Sequence, residues 1–161
     1  MYKLIVMKQI HSTNVVIMDA NITEDPDIQW VQNADGLITE KKNIALGAYG
    51  ADCCIIAFWD EKNIGICHAG WRGFLNGILE QMLKHFETEK VACHIGPFLH
   101  SFEIQRDSCY ESIVQKYGNK YFEYTSGKII FHFKSRKQFL KNYKEFLFQL
   151  TTVPRLNTVL L

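Results

Sequence analysis

Between Ala51 and Gly73 the chain sets a thiol, Cys53, an imidazole, His68, and a guanidinium, Arg72, into one short stretch. Cys53 sits in Ala51-Asp52-Cys53-Cys54, and His68 and Arg72 in Ile64-Gly65-Ile66-Cys67-His68-Ala69-Gly70-Trp71-Arg72-Gly73. The two apolar runs are short enough to pair as neighbouring strands about an Asp60-Glu61-Lys62-Asn63 turn. A soft ligand or nucleophile, a second ligand or base, and an anion clamp then stand together.

Two chemistries fit these residue types. With His11, Cys53 and His68 make one thiolate and two imidazoles, a set that suits zinc with a fourth position open to water or substrate. The three are far apart in sequence, and no C-x-x-C pair or H-E-x-x-H helix strengthens the case. Alternatively Cys53 is a nucleophile and His68 its base, which needs no metal. Against both stands the plain reading that Cys53 and Cys67 are buried small hydrophobes and His68 a satisfied strand-end histidine. Arg72, flanked by Gly70 and Gly73 where a helix starts, is a candidate to hold an anion in planar, bidentate fashion; the alternative is a first-turn surface residue. Asp52 is a candidate to orient His68 or to cap the following turn. His94 and His100 flank Gly96-Pro97 and are weaker candidates to line a cleft. No role is assigned to His85 or His132, and Cys54, Cys67, Cys93 and Cys109 are expected to pack.

The elements that must position these groups are read from periodicity. Tyr2 to Met7 and Val15 to Met18 are strand-like runs, and the polar connection between them leaves His11 at a strand end. Asn21 to Asp27 is a loop, Ala34 to Thr39 a turn feeding a strand, and Ile44 to Tyr49 another strand. Ile55 to Trp59 and Ile64 to Cys67 are continuous apolar runs, the pattern of strands covered on both faces. From Trp71 the period changes: Phe74, Ile78, Met82 and Phe86 fall four apart with Leu75, Leu79 and Leu83 beside them, which predicts one helix. Val91 to Ile95, Phe102 to Ile104 and Lys128 to Phe133 read as strands. Asp107 to Lys116 reads as a helix and Gln138 to Leu150 as an amphipathic, Lys-bearing one. This order predicts a mixed α/β (α+β) fold, a single compact domain over 1–161 of layered sheets and helices.

The 161 residues are 47% hydrophobic, enough to bury a core without staples. With 18 basic and 17 acidic residues the formal charge is +1, so no net field argues for nucleic acid or a membrane surface, and small molecules are the expected partners. No apolar run approaches the roughly 18 residues of a membrane helix, and Met1 to Lys8 lacks the charged and long apolar regions of a signal peptide. A cytoplasmic protein is expected, its five cysteines reduced.

Taken together and in order, Gln9-Ile10-His11, Ala34-Asp35-Gly36-Leu37-Ile38-Thr39, Ala51-Asp52-Cys53, His68-Ala69-Gly70-Trp71-Arg72-Gly73 and Ile95-Gly96-Pro97 resemble the motifs of the YfiH family, also labelled laccase-domain or polyphenol oxidase proteins. The resemblance covers residues 9–104. It implies a compact layered fold and a zinc held by His11, Cys53 and His68. It also implies purine nucleoside phosphorylase activity, with adenosine deamination and methylthioadenosine cleavage beside it. Older descriptions of such chains give copper-dependent phenol oxidation, and others action on peptidoglycan precursors, to which a Cys53–His68 hydrolase would answer. Chains of this family usually run further at both ends, and a Cys-Thr and Arg-Arg region is not recognisable before Leu161. Pocket residues from those ends are therefore expected to be missing, and a homodimer is expected to close the pocket. A multicopper oxidase needs a trinuclear cluster of many histidines, which six scattered histidines cannot supply. Nucleoside and phosphate are the expected ligands, and a non-catalytic metal- or nucleoside-binding module is the remaining class.

Overall fold

The computed structural model describes residues 3–20, 22, 28–87 and 91–132; the helix expected over Gln138 to Leu150 lies outside the described residues. These form two compact units, one up to Phe98 and one from Leu99. The architecture is mixed α+β with three sheets, as the element order predicts.

In the first unit, β1 (Lys3–Met7), β3 (Ile28–Val31) and β5 (Ile44–Gly47) make a three-stranded parallel sheet in the order β3-β1-β5. A five-stranded sheet runs β2-β4-β7-β6-β8, from β2 (Val15–Ile17), β4 (Gly36–Thr39), β6 (Cys54–Trp59), β7 (Ile64–Ala69) and β8 (Ala92–Ile95). Only β2 and β4 are parallel there; the other pairs are antiparallel. The β6–β7 hairpin closes at Asp60, whose carboxylate accepts from the backbone N–H groups of Lys62 (2.8 Å), Asn63 (2.6 Å) and Glu87 (3.0 Å).

Strand alternation sorts the larger sheet into two buried faces. Leu37, Ile55 and Ile66 point one way and pack with Ile5, Met7 and Leu46 of the smaller sheet. The other face lies under two helices, α1 (Trp71–Asn76) and α2 (Ile78–Leu83). Gly36 and Gly65 let α2 sit close: a Cβ at either would fall 2.6 and 2.9 Å from Met82. Sheet, sheet and helices are thus three layers, and β6 and β7 read as unbroken apolar runs because they are the middle one.

The single helix expected from Trp71 to Phe86 is two. Gly77 takes φ 100°, ψ 35°, and its N–H bonds to the carbonyls of Gly73 and Phe74, ending α1 before α2 begins. The apolar stripe continues across the break, so periodicity alone does not reveal it.

The second unit is an antiparallel sheet, β10-β11-β9, made of β9 (Ser101–Ile104), β10 (Phe122–Thr125) and β11 (Lys128–His132), with α3 (Ser108–Tyr117). Asp107 caps α3 by accepting from the Tyr110 N–H at 2.8 Å. Ser126 and Gly127, both at positive φ, turn the β10–β11 hairpin. Tyr110, Ile113, Phe122 and Phe131 fill its core. β3 and β10 are strands that periodicity did not mark.

Candidate metal centre

The register of the larger sheet brings the chemistry together. β4 and β7 pair Gly36 with Cys67, so the next step sets Asp35 opposite His68, and the His68 N–H donates to the Asp35 carbonyl at 2.8 Å. Ile55 pairs with His68, and Cys53, two residues before Ile55, shares its face. Asp35, His68 and Cys53 therefore all point toward the smaller sheet. His11 reaches the same place from the loop that leaves the carboxyl end of β1. The ligand atoms of His11, Cys53 and His68 lie within 4.8 Å of one another, the one such group of three donors among the described residues. Cys53 Sγ and His11 Nε2 are 3.8 Å apart, and the two imidazoles meet edge to face with centroids at 4.7 Å.

Asp35, and not the candidate Asp52, organises this group. It is fully buried, and one carboxylate takes the His68 Nδ1–H at 2.8 Å, the backbone N–H groups of Ile10 (3.3 Å), His11 (3.1 Å) and Ser12 (2.7 Å), and the Ser12 hydroxyl (2.7 Å). Three successive N–H groups can converge on one anion only if the backbone curls, and His11 accordingly adopts φ 61°. That left-handed conformation costs a side chain roughly 1–2 kcal/mol, which charge-assisted hydrogen bonds to a buried carboxylate offset. Asp35 thereby aims both histidines, one through its loop and one through its ring. Asp52 is exposed.

The protonation pattern follows from these contacts. Burial alone would raise the Asp35 carboxyl, but the hydrogen bonds from His68, Ser12 and Ile10 outweigh it and hold it at about 2. Hydrogen bonds from His11 and then His68 lower the Cys53 thiol to about 6. Burial works to lower the His68 imidazole, yet Asp35 and Cys53 together raise it to about 9. Without metal, His68 and Cys53 are thus an imidazolium–thiolate pair between those values. With Asp35 keeping the Nδ1 proton, it is the Nε2 proton of His68 that must leave for this nitrogen to donate to a metal.

The donor set fits a metal ion on geometry as well as type. Zinc–sulfur and zinc–nitrogen bonds of about 2.3 and 2.0 Å at tetrahedral angles separate the two atoms by about 3.5 Å, near the spacing of Cys53 and His11. Burial grades from exposed His11 through Cys53 to buried His68, so the group opens to solvent on one side. Gly70 leaves the room: a Cβ there would lie 2.8 Å from His11 Cδ2, 3.2 Å from Cys53 Sγ and 3.4 Å from His68 Cε1. Its φ of −61° suits any residue, so the strain of Gly70→Ala falls first on the centre. The variant should fold but bind metal at least about tenfold more weakly in a competition titration with a chromophoric chelator. In wild type at about pH 7.5, uptake of one metal ion should release about one proton from the Cys53–His68 pair, that of His68, since Cys53 is already ionised. Calorimetry in buffers of different ionisation enthalpy reads that number, which should rise toward two, with weaker binding, as the pH falls through about 6.

Of the remaining candidates, Arg72 is the second residue of α1, half-buried, with its guanidinium 5.3 Å from the centre of the Trp71 ring. His94 lies in β8 and His100 is exposed, and neither belongs to the group of three. Cys54, Cys67 and Cys93 are buried and Cys109 half-buried, and all five cysteines are free. Burial pushes the Cys67 thiol well up.

Residues 1–142 match the family described as multi-copper polyphenol oxidoreductase laccase, and the chain belongs to that family. It is 35% identical over 120 residues to a protein named purine nucleoside phosphorylase from Rickettsia prowazekii, 70% of this chain and 47% of the relative. It is 36% identical over 99 residues to the human purine nucleoside phosphorylase LACC1, 56% of this chain and 21% of that one. The chain thus spans about half the length of the bacterial relative. Among solved structures, Neisseria meningitidis protein NMB0706 superposes with a TM-score of 0.66 at 21% identity, over 89% of this chain and 59% of that chain. Bacillus licheniformis YfiH gives 0.64 at 19%, over 86% and 57%. These likenesses show the fold. No helix among the described residues is long and apolar enough to cross a membrane.

Proposed function

We propose that the chain is a zinc-dependent purine nucleoside phosphorylase acting on inosine and adenosine, with methylthioadenosine and adenosine deamination as secondary substrate and activity. The observation that carries the reading is the approach of His11, Cys53 and His68 around one opening, with Asp35 fixing both histidines. The relatives' names supply the substrate class. Zinc fits better than the copper of the family description, because one group of three donors holds a single ion and no second cluster stands beside it among the described residues.

In phosphorolysis a phosphate oxygen forms a bond to C1′ of the ribose as the bond from C1′ to the base nitrogen breaks, and the base leaves with the electron pair and takes up a proton. The metal, when bound, supplies Lewis acidity to an oxygen at this centre. His11, Cys53 and His68 would hold it, Asp35 keeps the Nδ1 proton of His68 and so leaves Nε2 as the nitrogen that would donate, and Arg72 is assigned to the phosphate, whose two oxygens match a guanidinium fork. Metal-loaded protein should release hypoxanthine from inosine only when phosphate is present, with ribose 1-phosphate in equal amount. Release without phosphate, or none at all, overturns the assignment.

The imidazolium–thiolate pair favours a second reading, a cysteine hydrolase with Cys53 as nucleophile and His68 as base, for example on peptidoglycan precursors. A chelator separates the two: it abolishes the phosphorylase and leaves a thiol hydrolase active but sensitive to alkylation.

A further inference from the structure

To build the centre the chain must leave the smaller sheet, and it does so just after β1. β1 pairs with β5 as far as Val6 beside Gly47, and the same register continued puts Lys8 beside Tyr49. Directly beyond, the backbone N–H groups of Ile10, His11 and Ser12 turn to Asp35 and are spent there. The chain that follows β5 then needs another partner for its own N–H and C=O groups. The Gln9 side chain is that partner: its amide donates to the Tyr49 carbonyl at 2.8 Å and accepts from the Tyr49 N–H at 2.7 Å. Among the described residues no other side chain bonds to the backbone of Tyr49 to Asp52.

From Tyr49 the grip passes to Cys53 by direct contact. Gly50 packs against the far end of its own loop: a Cβ there would lie 2.6 Å from Ile55 Cγ1 and 3.3 Å from the Cys53 carbonyl oxygen. The segment from Gly50 to Cys53 is therefore a tight return, and to fix one end is to fix the other. Cys53 in turn sets its sulfur 3.8 Å from His11 Nε2, and His11 is two residues from Gln9. Gln9, Tyr49, Gly50, Cys53 and His11 thus close a ring of contacts. Its amide link, with one bond given and one received by a planar group, fixes orientation as well as distance. Asp35 aims the two imidazoles, but none of its carboxylate's hydrogen bonds reaches the Cys53 segment.

We infer that Gln9 is a positioning residue for the sulfur donor: through the backbone of Tyr49 its amide holds Cys53 beside His11, as Asp35 holds the two imidazoles. The inference rests on the reading of His11, Cys53 and His68 as a metal centre and not on the nucleoside chemistry. With the loop gripped in advance, the cost of ordering Cys53 falls on folding and not on metal binding.

Two variants test this. Gln9→Met keeps the length and loses both hydrogen bonds, and Gln9→Asn keeps the amide but sets it one methylene short. Gln9 is only half-buried, so both should fold. In the metal-free proteins the Tyr49 amide should exchange its hydrogen about tenfold faster than in wild type. Chelator competition should show zinc bound about tenfold more weakly. At saturation with cobalt(II), the thiolate-to-cobalt charge-transfer band should shift and lose intensity, which a mere loss of fold stability would not produce. Faster exchange at Tyr49 with wild-type zinc affinity and an unaltered cobalt band overturns the positioning role and leaves the metal centre standing. Exchange at the wild-type rate in both variants overturns it as well, since the amide then holds nothing. If wild type takes up neither zinc nor cobalt, the inference and the metal centre fall together.

Discussion

Asp35→Asn should cost the protein both stability and metal. An amide in place of the carboxylate offers one oxygen where five hydrogen bonds now arrive, and its NH2 would face donors among His68, Ile10, His11 and Ser12. A buried ion pair broken on one side, with backbone N–H groups left unanswered, is expected to destabilise the fold by about 3 kcal/mol. Chemical denaturation of the metal-free proteins measures this. Because the carboxyl is held at about 2, below its ordinary 3.8, the wild-type advantage is full above that ordinary value and is lost as the pH falls through about 2. Metal affinity should fall about 10- to 100-fold, the usual effect of removing the acceptor behind a ligating histidine. An Asp35→Asn protein with wild-type stability and metal affinity would show that the carboxylate organises nothing.

Cys53→Ala should remove activity altogether while leaving the fold. The residue lies outside β6 and half-exposed, with its sulfur 3.8 Å from His11 Nε2, so its truncation is expected to spare the core. Loss of the thiolate leaves two nitrogen donors, too few for a closed-shell ion of this kind to be retained on dialysis. The expected fall in kcat/KM is at least about a thousandfold, some 4 kcal/mol of transition-state stabilisation. His68→Ala should act alike on the metal but also destabilise, since it strands the buried Asp35 carboxylate. Equal metal content and turnover in Cys53→Ala would remove the thiolate from the mechanism.

How much of this was legible in the residues depends on what covers each segment. β6 and β7 were readable because the sheet on one side and the helices on the other make both faces apolar. β3 was not: it is an edge strand whose Ile28 and Trp30 face solvent, and a four-residue run with Gln29 inside it gives too little alternation to register. β10 buries only Phe122 and so carries almost no signal. The break at Gly77 hid inside a stripe whose spacing it does not disturb. His11, Cys53, His68 and Arg72 stood out by side-chain chemistry. Asp35 did not, because its work is to accept from backbone N–H groups, which a sequence does not display, and Ala34-Asp35-Gly36 reads as an ordinary turn. The available signal is that this tripeptide stands in the same set of family-like motifs as Gln9-Ile10-His11 and His68. Gln9 is likewise explained only by structure, as the residue that grips the backbone of Tyr49.

The central claim is that two imidazoles and one thiolate hold a single ion. Substitution of cobalt(II) into the metal-free protein, followed by optical titration, addresses it directly. The account predicts saturation at one equivalent, with a thiolate-to-cobalt charge-transfer band that disappears in Cys53→Ala and weakens in Asp35→Asn. Absence of that band at saturation, or its persistence in Cys53→Ala, would contradict the account.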